Sequence, residues 1–106
     1  MIPSQVRLQK LLEMEQVNPL DAFLKFAIAQ ELVAQENFQE AEKYYQLLLR
    51  KFPDYLPTYY HFGKLNEQQG KATQARIFYE KGIVVAKQQT NAKTLAELQD
   101  ALFFLD

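Results

Sequence analysis

The sequence predicts an all-α fold of about six antiparallel helices paired into hairpins, and three observations carry that expectation. Small and apolar residues recur at helical spacing along nearly the whole chain. One such stripe returns in the same register 34 residues later. Glycine and proline are scarce, 3 and 4 of 106 residues, so little interrupts the helical periodicity.

The first helix is expected over 4–17, with Leu8, Leu11, Leu12 and Glu15 on one side. Asn18-Pro19 stops it, with Asn18 as a cap and Pro19 in the first turn of the next helix. The second helix, 20–35, carries Leu24, Ile28 and Leu32 at intervals of four and breaks at Glu36-Asn37. The third, 38–51, carries Phe38, Ala41, Tyr45, Leu48 and Phe52 on one stripe. Adding 34 gives Ala72, Ala75, Tyr79, Gly82 and Ala86, the stripe of the fifth helix at 72–88. Between them lies the fourth helix, 56–69, with Tyr59, Phe62, Gly63 and Asn66, ending at Gln69-Gly70-Lys71. Glycine or asparagine at such breaks accepts a left-handed conformation, and a two-residue break forces a hairpin. Pro53 and Pro57 bracket the link between the hairpins, because neither has an amide hydrogen to donate inside a helix. The sixth helix, 92–105, is expected to open on the capping-box pattern Thr94–Glu97 and to bury Leu95, Leu98, Leu102 and Leu105.

These units resemble the tetratricopeptide repeat, whose pattern runs W-x2-L-G-x2-Y, A-x3-F, P over 34 residues. The second unit reads Tyr59-x2-Phe62-Gly63-x2-Asn66, then Ala75-x3-Tyr79, with Lys87 at the proline position. The first reads Lys25-x2-Ile28-Ala29-x2-Leu32, then Ala41-x3-Tyr45, then Pro53. The resemblance implies hairpins stacked as an α-α superhelix in one domain: an N-terminal helix at 4–19, repeats at 20–55 and 56–89, and a capping helix at 90–106. Ala29, Gly63, Ala41 and Ala75 are small where helices must cross closely, and Tyr45 and Tyr79 fill the space behind each crossing.

Composition narrows the function. Twelve basic against thirteen acidic residues give a net charge of −1 with no basic block, which argues against nucleic acid. No apolar run is long enough to span a bilayer, and the N-terminal residues lack a signal-peptide core, so a cytoplasmic location is the default expectation. The chain has no cysteine, one histidine (His61) and one serine (Ser4), too few partners for a metal site or a nucleophilic dyad. The three glycines are far apart, so no phosphate loop exists. No catalytic residue and no cofactor are expected.

What remains is protein binding. In the tetratricopeptide repeat family the first helix of each pair lines a concave groove. By that resemblance Phe23, Phe26, Gln30, Val33, Tyr60, Lys64 and Glu67 would hold a partner segment of unknown identity. Some members clamp a peptide C-terminal carboxylate with lysine, asparagine and arginine; Phe26, Ala27, Gln30 and His61 occupy the corresponding places here, so that clamp is not expected. The alternative is a structural, self-associating homodimer. Ala101, Phe103 and Phe104 add apolar surface outside the last helix's core stripe. Phe103 and Phe104 point about 100° apart, so one ring is expected to stay exposed at a dimer contact.

Overall fold

The computed structural model describes residues 3–105 and contains, among them, six α-helices and no strand. They are α1 (Pro3–Val17), α2 (Ala22–Ala34), α3 (Phe38–Lys51), α4 (Pro57–Gln68), α5 (Ala72–Gln88) and α6 (Ala92–Phe103). They pack as two units, 1–55 and 56–106, and the boundary falls at the end of the first expected repeat. No helix among the described residues is long and apolar enough to cross a membrane.

In the N-terminal unit α2 packs on both α1 and α3. Its core is the expected stripe, Leu24, Ile28, Ala29 and Leu32 against Ala41, Tyr45 and Leu48, all buried. The helix α1 contributes no fully buried residue; Leu8, Leu11, Leu12 and Glu15 are only half-buried. Polar contacts supplement its packing. Ser4 Oγ donates to Glu31 at 2.9 Å, and Arg7 Nε pairs with Glu31 at 2.7 Å. Lys25 Nζ pairs with Glu15 at 2.8 Å, and the Tyr44 hydroxyl donates to the same carboxylate at 3.1 Å. The Arg7 guanidinium, aided by the Ser4 hydroxyl, holds the Glu31 carboxyl below its usual range despite burial.

In the C-terminal unit α5 packs against α4 and α6, and α6 also touches α4. Tyr59, Phe62, Leu65, Ala75, Tyr79, Ala86 and Leu98 form the core. Two glycines allow the close crossings. A Cβ on Gly63 would stand within 2.9 Å of the Tyr79 ring, and one on Gly82 would meet Tyr59 Cβ at 2.6 Å and Leu98 at 3.0 Å. Ala72, placed by the 34-residue register on the core stripe, is exposed; the buried stripe starts one turn later at Ala75.

Helix ends depart from expectation in three places. Asp21, not Asn18, caps α2, accepting from the Leu24 amide at 3.3 Å, while Asn18 and Pro19 lie in the preceding turn. Asn91, not Thr94, caps α6, accepting from the Thr94 amide at 3.0 Å, and the helix opens at Ala92 as expected. The left-handed residue at the first break is Glu36 (φ 61°), with Asn37 following as the N-cap of α3. The second break uses Gly70 (φ 74°) as expected, and the third uses Thr90 (φ 53°). All three breaks share one hydrogen-bond pattern. The amides of Asn37, Lys71 and Asn91 reach back to the carbonyls of Leu32, Asn66 and Ala86 at 2.8, 2.8 and 2.9 Å, satisfying orphan groups at each helix end.

Candidate partner-binding face

One side of α4 carries the half-buried residues Tyr60, Lys64 and Glu67 at i, i+4 and i+7. A stripe of α6 carries Glu97, Asp100 and Ala101, continued by Phe104 at its C-cap, at the same kind of spacing. Together Tyr60, Lys64, Glu97, Asp100, Ala101 and Phe104 line an open pocket of about 230 Å³. Leu98, about 60° from Ala101 around α6, lies against Gly82 and fixes that helix in place.

A polar chain runs through the α4 wall. The buried Tyr79 hydroxyl donates to Glu67 in a short hydrogen bond, and Lys64 Nζ lies 3.7 Å from the same carboxylate. Burial and the Glu67 carboxylate push the Tyr79 phenol upward, so it stays a donor at neutral pH. Lys64 Nζ also lies 5.5 Å from the centroid of the Tyr60 ring, a cation–π arrangement. Tyr60 is flanked by Tyr79 at 6.3 Å and by the edge of His61 at 5.3 Å. Burial lowers the His61 pKa, against the pull of Glu97, so this imidazole is neutral at neutral pH.

In the N-terminal unit the expected groove residues separate. Phe23 is 57% exposed, Gln30 is exposed and Val33 is half-buried. Phe26 corrects the expectation of a groove residue: it is 6% exposed and belongs to the core, its ring 6.4 Å from Tyr45 and 5.6 Å from Tyr55. The two phenylalanines are three residues apart and so only about 60° apart around α2; Phe26 falls on the buried side of the stripe edge and Phe23 just outside it. A second pocket, about 380 Å³ and lined by Pro19, Leu20, Lys25, Leu47, Lys51 and Phe52, was not foreseen. Its only signal was Leu20, an apolar residue in a turn, which is 83% exposed.

At the C-terminus Phe103 and Phe104 are 78% and 79% exposed, so both rings, not one, face outward. They meet edge to face at 5.1 Å. Ala101 is buried and belongs to the core stripe rather than to the outer surface. Phe104, expected at a self-association contact, shares the pocket with Tyr60 and Lys64, expected in a groove. Among the described residues no group of acidic, histidine or cysteine side chains is arranged to hold a metal ion.

A family model for the tetratricopeptide repeat matches residues 56–89. The chain is similar to a tetratricopeptide repeat domain protein from Salinibacter ruber solved by NMR, with 39% identity and a TM-score of 0.80, covering 83% of this chain and 89% of that one. A crystal structure of a Salinibacter ruber tetratricopeptide repeat domain protein gives 40% identity and a TM-score of 0.74, covering 78% and 93%. A solution structure of a Bordetella parapertussis protein, 24% identical, shares the fold with a TM-score of 0.79 over 92% of this chain and 85% of that one. No curated protein matches the sequence.

Proposed function

The chain belongs to the tetratricopeptide repeat family, and on that premise we propose that it is a non-catalytic scaffold or adaptor that binds a segment of another protein. The fold generally mediates protein–protein interaction and is generally non-catalytic. The proposed contact residues of the C-terminal unit are Tyr60, Lys64 and Glu67 on α4 with Phe104 at the C-cap of α6; in the N-terminal unit, taken by itself, they are Phe23, Gln30 and Val33 on α2. One observation carries the reading: α4 and α6 converge on an open pocket that combines aromatic walls with charged side chains. An unbiased peptide-display selection on the wild-type chain tests it. Selected peptides should lose binding to Tyr60→Ala and Lys64→Ala variants of unchanged helix content. Selected peptides that bind these variants as well as wild type would refute the proposed face.

The exposed pair Phe103 and Phe104 favours a second reading, a homodimer that covers this apolar surface and takes no foreign segment. Sedimentation separates the two. A dimer that becomes a monomer in Phe103→Ser or Phe104→Ser supports the second reading, and a monomer at about 100 μM removes it.

A further inference from the structure

Resting on the reading of α4 and α6 as a partner-binding face, we infer that the pocket there receives a cationic side chain, arginine or lysine, from a basic segment of a partner protein. Tyr60, Phe104 and Ala101 supply apolar walls, and Glu97 and Asp100 place two carboxylates one turn apart on α6. Neither carboxylate joins an ion pair among the described residues. The one ammonium in the pocket, Lys64, is drawn toward Glu67 on its own helix at 3.7 Å. His61 beside it is neutral, and Lys93, exposed one turn before Glu97, does not line the pocket. The pocket therefore presents uncompensated negative charge next to aromatic rings.

That combination selects a cation on two counts. The carboxylates attract it, and the ring faces stack against it. Lys64 already places its ammonium 5.5 Å from the Tyr60 centroid, so this ring accepts a cation in the geometry it holds. The volume of about 230 Å³ lies below the ~300–1,000 Å³ usual for small-molecule pockets and suits one long side chain. An acidic segment would set its carboxylates against Glu97 and Asp100. The chemistry is thus the reverse of a carboxylate clamp.

The test uses the full chain, labelled with nitrogen-15, and three blocked short peptides on one Gly/Ser/Leu frame. They differ only in carrying two arginines, two citrullines or two glutamates. The arginine peptide should shift the amides of Tyr60, Lys64, Glu97, Asp100 and Phe104, and citrulline should weaken binding by about 10-fold, since it keeps the shape and removes the charge. The Glu97→Gln/Asp100→Asn double variant, changed only at exposed positions, should lose the preference for arginine at unchanged circular dichroism. Equal binding of arginine and citrulline peptides would overturn the inference. So would shifts at these amides from the glutamate peptide, which would leave the docking face standing with the opposite charge class. If no peptide of the three moves these amides, the inference falls, while display-selected peptides landing on the same face would still uphold the proposed function.

Discussion

Glu36, Gly70 and Thr90 hold the same left-handed backbone at three hairpin turns, but only one of them is glycine. A side chain in that region costs roughly 1–2 kcal/mol, and glycine's extra unfolded-state freedom returns part of the difference. Glu36→Gly and Thr90→Gly should therefore each raise stability, by up to about 1 kcal/mol, and Gly70→Ala should lower it by about 1 kcal/mol. Gly70 has open space where a Cβ would sit, so its penalty is conformational only. Gly63→Ala is a different case, because the new methyl would overlap the Tyr79 ring, and about 1–3 kcal/mol of overpacking is expected. Urea midpoints for the four variants check this order. The sequence marked the breaks correctly but assigned the left-handed position at the first break to Asn37, on residue preference alone. The conformation is set by where the last carbonyls of α2 need donors, and that falls on Glu36.

The attachment of α1 to α2 sets the behaviour at the scale of elements. Lys25 and Glu15 are 11% and 17% exposed at their side chains, whereas Arg7, on the other pair, is 59% exposed. Removing one partner of a largely buried pair leaves an uncompensated charge, so Glu15→Ala should cost about 2–4 kcal/mol. Arg7→Ala should cost at most about 1 kcal/mol, and the Glu15→Leu/Lys25→Met double variant should lie within about 1 kcal/mol of wild type. Equal losses for Glu15→Ala and Arg7→Ala in urea unfolding would contradict this account.

The attachment of α1 titrates at both pH extremes, through Glu31 on α2 and Tyr44 on α3. Burial and the Glu15 carboxylate push the Tyr44 phenol from 10.0 up to about 12, so the neutral form is favoured on folding. That contribution is complete below pH 10 and is lost as the pH rises from 10 toward about 12. The Glu31 carboxyl is depressed below 4.5, so its contribution is complete above that value and disappears as the pH falls through the folded value. The signal of α1 in a helix-resolved probe should therefore weaken first at both extremes, and Tyr44→Phe should remove its alkaline component. None of this was legible in the sequence, where Lys25 is marked only by standing at the tryptophan position of the repeat pattern. Its burial follows from a carboxylate ten residues earlier on another helix.

At the scale of the whole molecule, the 34-residue register made the repeats and their cores legible, because each signature position is small or apolar for a packing reason. The face that carries the proposed function was legible only in part. Tyr60 and Lys64 follow from the repeat pattern, but Glu97 and Asp100 lie on α6 and Phe104 at its C-cap, where the register has lapsed. No spacing rule links the two stripes; they meet because α6 folds back over Gly82. A net charge of −1 over 106 residues also hides a local excess of carboxylates, since the sum says nothing of where the charges cluster.

The central claim, that the chain works by holding a protein segment on this face, is tested most directly by an amide chemical-shift map of the wild-type chain saturated with a display-selected peptide. The account predicts shifts concentrated at Tyr60, Lys64, Glu97, Asp100 and Phe104, and their disappearance in Tyr60→Ala. Shifts confined to α1 and α3, or a map unchanged by Tyr60→Ala, would contradict it.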